Sequence, residues 1–200
     1  MIAKSMPFHS HRIAWSRVAV ALVFVYAVLI PSPALLSQPV LEFLELLGFI
    51  LLSVAALGRL WCLSYISGYK NEVLLTEGPY SVMRNPLYLF NFIGGIGLGL
   101  AVENPLLAAL LVLGFLAFYP GVVRREEARL AQQFGETYAR YCEATPRWIP
   151  RWSNFHEPET WTIFPRRFRA GLLSTMWFLW VFLLWEVFEE LRLLEWFRGL

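Results

Sequence analysis

Apolar runs long enough to cross a lipid bilayer recur along the chain, and they constrain its fold more than any other feature. Hydrophobic residues make up 58% of the 200 residues and charged residues 16%. A membrane-spanning helix needs about 20 apolar residues, whereas the strands of a membrane barrel alternate apolar and polar positions. The chain has runs without such alternation, so the sequence predicts an all-α integral membrane helical bundle that forms one domain over residues 1–200.

Five apolar segments are predicted, at residues 13–30, 41–63, 87–102, 106–119 and 171–185. The first lacks a small-residue cleavage pattern, so we expect a retained helix and not a signal peptide. The third and fourth are short and are joined by Glu103-Asn104-Pro105, which predicts a tight helical hairpin whose two outer ends lie on one face of the membrane. The hairpin is compatible with a full crossing or a shallow one.

Basic residues are distributed unevenly about these segments. Lys4, Arg12 and Arg17 lie near the start of the first segment, the loop 31–40 has no basic residue, and nine arginines lie between Arg124 and Arg169. Because basic residues are enriched on the cytoplasmic side, we predict a multi-pass protein with its N-terminus and the arginine-rich region in the cytoplasm. Arginines at a membrane edge bind anionic lipid headgroups, so we expect membrane lipids and not nucleic acid as partners.

The absence of one residue type excludes many reactions. All fifteen acidic residues are glutamates, so a Ser-His-Asp triad and aspartate-based phosphoryl-transfer sites lack a required part. Three histidines and two cysteines, with no metal-ligand spacing, predict no metal site. The glycines of GGIGLG lie inside an apolar segment, and Gly95 and Gly99 have the spacing of close helix packing.

Polar and rigid residues are concentrated in front of the third apolar segment, in the stretch EGPYSVMRNPLYLF at residues 77–90. Asn85 is suited to cap a helix and Pro86 to its first position, after a turn at Gly78-Pro79. That local role does not explain Tyr80, Arg84 or Tyr88, for which membrane anchoring and a functional site both remain open.

A second polar segment, RREEARLAQQFGETYARY at residues 124–141, follows the hairpin, and its apolar residues recur with helical periodicity. Glu127 lies on the apolar stripe of this predicted cytoplasmic amphipathic helix, and Glu126 flanks the stripe. A carboxylate on an apolar face needs a partner. The candidates are an arginine of the same helix, Arg124 or Arg129, or the hydroxyl groups of a bound polar ligand.

Taken together, LxTxGPYxxxRNPLY, the hairpin with its ENP turn, EExxLxxxFGxxYxxY and ATPRWIP resemble the isoprenylcysteine carboxyl methyltransferase family. That family belongs to a wider group of membrane methyltransferases that includes phospholipid methyltransferases. The resemblance covers about residues 57–150, and the region 151–200 adds a cytoplasmic loop and a C-terminal helix without a matching motif. It implies methyl transfer from S-adenosylmethionine, with cofactor contacts at Leu74, Leu75, Tyr80, Asn85, Pro86, Leu87, Tyr88 and Glu126.

Two departures from the family pattern concern the acceptor. Asn85 replaces a histidine, and Val122 replaces an arginine that contacts substrate in the prenylcysteine enzymes. We expect a small lipophilic acceptor, a lipid carboxylate, with Arg84 and Asn85 as the catalytic candidates. A phospholipid, amine or thiol methyltransferase, a sterol-reductase-type enzyme using NADPH, and a non-catalytic protein on the same scaffold are the alternatives.

Overall fold

The computed structural model describes residues 36–67, 69 and 72–193, and over these residues the protein is helical with no strand. The predicted first segment, 13–30, lies outside the described residues. Helix α1 is Gln38–Ile66, α2 is the short helix Pro79–Val82, and α3 is Pro86–Ala101. The chain continues through α4 at Pro105–Phe134, α5 at Glu136–Ala144, a 3-10 turn at Trp152–Asn154, α6 at Pro165–Thr175 and α7 at Trp177–Leu193.

Helices α1 and α4 are long and apolar enough to cross a membrane. Only 22% and 17% of their apolar windows are buried within the protein, as expected for helices that face lipid and not for the core helices of a soluble protein. Helix α3 and residues Leu179–Phe188 of α7 are shorter apolar helices. The described helices therefore agree with a helical membrane protein, and the number of five spans stays a prediction.

The hairpin forms where the sequence predicts it. Asn104 accepts a hydrogen bond from the backbone N–H of Leu107 at 2.9 Å, and this caps α4 directly after the turn. Helix α3 packs between α1 and α4. The start of α3 consequently lies beside α4 near Tyr119 and Glu127, and the longer α4 continues beyond it.

Two predicted boundaries are wrong. The segment 106–119 and the start of the separate amphipathic helix form one helix of 30 residues, which passes through Pro120 and ends before Gly135 at φ 53°. The composition changes from apolar to charged near Arg124, but arginine, glutamate and alanine are good helix formers and the helix continues. The segment 171–185 is likewise divided between α6 and α7, which meet at Met176.

Glycine packing holds α1, α3 and α4 together, although not with the predicted pair. A Cβ on Gly97 would lie 2.9 Å from the backbone oxygen of Gly48, and one on Gly99 would lie 2.4 Å from the Cα of Ala108. A Cβ on Gly95 would meet nothing within 4 Å, so the Gly95 half of the prediction is wrong. Close contact between helix backbones at Gly97 and Gly99 fixes the spacing of the three helices that carry the site.

Candidate functional site

Residues 77–85, here called the site loop, form a buried turn between α1 and α3. Gly78 has φ 57°, and a Cβ there would lie 2.3 Å from the ring of Tyr65, so both the backbone conformation and the space require glycine. Pro79, Tyr80, Ser81 and Val82 of α2 are all buried. The polar stretch in front of α3 is thus a packed element of the fold and not an exposed loop.

Asn85 occupies the N-cap position of α3, as predicted, but its side chain makes no capping hydrogen bond, so the predicted side-chain cap is wrong. The Asn85 amide nitrogen instead donates to Glu127 Oε1 at 3.1 Å, and it lies 3.5 Å from the backbone oxygen of Arg147. Asn85 is only 7% exposed. Its side chain therefore joins the site loop to α4.

Glu127 is the centre of this cluster. Its carboxylate accepts hydrogen bonds from Arg147 Nε at 3.1 Å and Nη2 at 2.6 Å, and Arg84 Nη1 lies 3.8 Å from Oε1. The pair raises the pKa of Arg147, chiefly through the hydrogen bond to Glu127. Two guanidinium groups, one carboxylate and one amide give the cluster a formal charge of +1, which favours an anionic group nearby.

The segment that supplies Arg147, residues 145–164, lies across the site loop and is here called the strap. Three backbone hydrogen bonds of 2.9 Å connect the two segments: Arg84 N–H to Pro146 O, Arg151 N–H to Val82 O, and Gly78 N–H to His156 O. The His156 ring also lies 3.3 Å from Glu77. The strap also contacts α1, because the ring of Trp161 lies 5.2 Å from the ring of Tyr65.

Tyr80 lies beneath the strap with its hydroxyl group buried. That hydroxyl and the Nε of Arg84 have no hydrogen-bond partner among the described residues. Burial raises the pKa of Tyr80 well above its usual value, so the hydroxyl stays protonated. A buried donor without a partner costs free energy, and such groups in native proteins usually serve a ligand or an ordered water.

The other predicted cofactor residues divide into two groups. Leu75 and Leu87 pack against the buried cluster that contains Tyr80, Pro86 is fully buried, and Tyr88 meets the ring of Tyr119 edge-on at 5.5 Å. These residues, together with the half-buried Leu74 and with Asn85, lie around the site loop. Glu126 does not join the Asn85 cluster, because its carboxylate pairs with Arg129 at 2.5 Å on a more exposed side of α4.

Sequence reasoning missed two contributors to the site. Arg147 was part of the ATPRWIP match without a role, and its pairing with Glu127 depends on how the strap folds back. Tyr141 of α5 donates its hydroxyl to the backbone oxygen of Tyr80 at 2.7 Å.

The fold and the site define a helical membrane protein with a buried polar cluster at one end of its α3–α4 hairpin. Among the described residues, no group of three or more His, Cys, Asp or Glu side chains is placed to hold a metal ion. The chain matches the phospholipid methyltransferase family over residues 42–137, from α1 to the start of α5. The strap, α6 and α7 lie beyond that match.

Curated relatives include proteins with two kinds of name. The chain is 42% identical over 143 residues to the cobalt-zinc-cadmium resistance protein CzcN of Cupriavidus metallidurans, covering 72% of this chain and 66% of that protein. It is 40% identical over 149 residues to the nickel-cobalt-cadmium resistance protein NccN of Alcaligenes xylosoxydans xylosoxydans, covering 74% and 70%. No solved structure is significantly similar to the chain.

A third relative carries an enzyme name. The chain is 32% identical over 81 residues to protein-S-isoprenylcysteine O-methyltransferase of Schizosaccharomyces pombe, covering 40% of this chain and 34% of that protein. The chain thus spans about two thirds of the length of the resistance proteins and about one third of the yeast enzyme. The protein belongs to the isoprenylcysteine carboxyl methyltransferase-like family of membrane methyltransferases.

Proposed function

We propose that the protein transfers a methyl group from S-adenosylmethionine to a small lipophilic acceptor at the polar end of the α3–α4 hairpin. The observation that carries the proposal is the hydrogen bond from Asn85 to Glu127, which joins the two family motifs across 42 positions of sequence. Family membership supports a methyltransferase, and the polar cluster lies where helices exposed to lipid end. Such a place is accessible to a water-soluble cofactor and to a lipid.

The residues of the site loop fit the proposed cofactor. The Tyr80 hydroxyl and Arg84 Nε are buried donors without partners among the described residues, and a molecule rich in hydroxyl and carboxylate groups supplies acceptors for both. We propose that Leu74, Leu75, Tyr80, Asn85, Pro86, Leu87 and Tyr88 line the cofactor site and that Glu126 accepts hydrogen bonds from its ribose. When bound, the cofactor supplies an electrophilic methyl group on a sulfonium.

Alignment and exclusion of water, and not proton transfer, are the main contributions of this site. An in-line displacement at a methyl group depends on holding two reactants in register, and a rigid dry site favours this. Three backbone hydrogen bonds hold the strap on the site loop, and Glu127 fixes Asn85 and Arg84 relative to α4. The aromatic faces of Tyr80 and Tyr88 favour a neighbouring cation.

The acceptor is proposed to be a lipid carboxylate, with a phospholipid, amine or thiol as the alternatives. A carboxylate near lipid needs a paired cation. Arg84 is one candidate and Asn85 the residue that positions it, although Arg84 already shares Glu127 with Arg147. The uneven distribution of arginines favours a cytoplasmic N-terminus and a cytoplasmic site in a multi-pass protein.

Cofactor binding tests the proposal most directly. Detergent-solubilised protein is titrated with S-adenosylmethionine and, separately, with NADPH, and is then incubated with tritium-methyl S-adenosylmethionine and a lipid extract. Saturable binding of S-adenosylmethionine and labelling of an extractable lipid are expected. Binding of NADPH alone would indicate a reductase, and binding of neither would indicate a non-catalytic scaffold.

A titration with metal ions is included because the names of two relatives refer to cobalt, zinc, nickel and cadmium resistance. The same preparation is titrated with Co²⁺, Zn²⁺, Ni²⁺ and Cd²⁺ in the presence of saturating S-adenosylmethionine. We expect no change in the affinity for the cofactor. A change of more than about threefold in the dissociation constant for the cofactor, which corresponds to about 0.7 kcal/mol, would link metal binding to the site.

A further inference from the structure

The strap exposes a group of large apolar side chains although it belongs to none of the apolar helices. These are Trp148, Ile149, Trp152, Phe155, Ile163 and Phe164. Ile149 and Trp152 are the most exposed of them, at 79% and 66%. Single exposed apolar residues are ordinary, whereas several on one short segment indicate a surface that contacts a partner or a membrane.

Backbone hydrogen bonds hold the first part of the strap in place. Two of those described above attach residues 146–151 to the site loop at both ends. Between these attachments Arg147 bonds Glu127, whereas Ile149 is exposed. The exposed side chains therefore belong to a segment that the fold fixes on the site loop.

The 3-10 turn Trp152–Asn154 gives two of the exposed rings a common direction. The Phe155 N–H donates to the backbone oxygen of Trp152 at 3.0 Å, and side chains three residues apart in such a turn lie on the same side. The ring of Phe155 lies 6.1 Å from the ring of Trp61 on α1. Trp152 is therefore on the side of the strap that contacts α1.

Trp61 lies at the end of a stripe of exposed apolar residues on α1, here called the lipid-facing stripe. It consists of Leu46, Ile50, Val54 and Leu57. Because these residues follow one another at intervals of three or four, they share one face of the helix, and Trp61 continues that face four residues beyond Leu57. Trp61 also precedes the end of α1 by five residues, a rise of about 7.5 Å, which is the depth at which tryptophans gather at a membrane surface. The exposed rings of the strap thus continue the lipid-facing stripe at its polar end.

The charge of this region indicates the kind of membrane surface. Residues 145–169 contain five arginines and two glutamates, a formal charge of +3. Arg151, directly before Trp152, is exposed, as are Arg166 and Arg169 at the start of α6. Arginine pairs with lipid phosphate while an indole ring lies at headgroup level, so this combination fits a bilayer that contains anionic lipid.

We propose that the strap is a membrane anchor, with Ile149, Trp152 and Phe155 seated among the headgroups of an anionic bilayer beside the lipid-facing stripe. Lipid then holds the strap on the site loop and keeps Arg147 on Glu127, so closure of the site depends on the membrane. This inference does not depend on the proposed methyl transfer, because the lipid contact and the closure of the strap are measurable without a cofactor.

The lipid contact is tested with full-length protein in nanodiscs whose phospholipids carry bromine near the top of the acyl chain, where bromine quenches tryptophan emission. Removing a tryptophan that touches lipid lowers the quenched fraction of the emission, and removing one that does not raises it. Trp152→Phe should lower the fraction. Trp161→Phe, the control on the same strap, should raise it, because Trp161 packs against Tyr65.

The role of lipid charge is tested by hydrogen–deuterium exchange of the strap amides, which reports how often the strap opens. Exchange should be slower in nanodiscs that contain phosphatidylglycerol than in nanodiscs of phosphatidylcholine alone. In the anionic nanodiscs Arg151→Gln should raise the exchange rate about fivefold, the loss of about 1 kcal/mol of attraction to the surface. Arg151→Lys should retain the slow exchange.

Two results would overturn the proposal. Equal exchange rates of the wild-type strap in the two kinds of nanodisc would exclude an anchor for anionic lipid. A higher quenched fraction in Trp152→Phe, with the strap amides protected in both lipids, would indicate that another part of the chain or a protein partner covers this surface.

Discussion

Glu127→Gln should destabilise the folded protein, because Glu127 connects three parts of the site. The substitution keeps the shape of the side chain but removes its charge, and it places an amide N–H₂ group where two oxygens accept hydrogen bonds from Arg147 and Asn85. A hydrogen bond to a charged group contributes about 1.5 to 3 kcal/mol. The Arg147 side chain is 41% exposed, so solvent screens part of the ion pair and the sum has to be reduced.

The expected net loss is about 2 to 3 kcal/mol, which for a chain of this size lowers the melting temperature by about 4 to 12 °C. Intrinsic fluorescence of the nine tryptophans reports unfolding in detergent during a thermal ramp. The matched control is Glu126→Gln, one position away on the same helix. Its pair with Arg129 is an exposed i,i+3 contact of about 0.2 to 0.5 kcal/mol, so its melting temperature should fall by less than about 2 °C.

The order of the two variants should be reversed in cofactor binding, where Glu126→Gln should have the larger effect. If Glu126 accepts hydrogen bonds from the ribose, Glu126→Gln should weaken S-adenosylmethionine binding by about one to two decades, the loss of one charge-assisted bond. Glu127→Gln should cost less affinity in the fraction that remains folded. Equal melting temperatures for the two variants would contradict the central place of Glu127, and an unchanged affinity in Glu126→Gln would remove Glu126 from the site.

Three further outcomes are expected. Tyr80→Phe should leave the melting temperature unchanged or slightly higher, because the lost hydroxyl is buried and has no hydrogen-bond partner among the described residues, and should weaken S-adenosylmethionine binding in a titration; unchanged binding would leave that hydroxyl without a ligand role. Gly97→Ala should destabilise the bundle by forcing α1 and α3 apart, whereas Gly95→Ala, two residues away in open space, should be neutral or slightly stabilising in the same thermal ramp; the reverse order would contradict the packing described. With the native cysteines replaced, a cysteine at Glu77 should be labelled from the cytoplasmic side of oriented vesicles, and a cysteine at Glu103 should be labelled from the other side if the hairpin crosses the bilayer; labelling of the Glu77 position from outside would reverse the proposed orientation.

The helices were predictable because hydropathy and helix-starting residues both act locally. The segments 41–63 and 87–102 correspond to α1 and α3 with ends that differ by three residues or fewer. The hairpin turn was predictable from Asn104 and Pro105 for the same reason. The position of Glu127 on the buried stripe also followed from helical periodicity alone.

Contacts between distant segments were not predictable in this way. The pairing of Glu127 with Arg147 depends on the strap, whose path is fixed by backbone hydrogen bonds to the site loop and leaves no periodic pattern. Asn85 was expected to cap α3, because cap preference describes isolated helices and does not include a carboxylate from another helix.

The strap also determines when the site is completed during synthesis. The elements that surround Glu127 from the membrane side are α1, the site loop, α3 and α4. All of them emerge from the ribosome before Arg147. A chain that ends near Ala144 contains the whole α3–α4 hairpin, with a glutamate that lacks its bidentate partner. A chain truncated ahead of the strap should therefore retain the α3–α4 hairpin and yet never acquire a closed site.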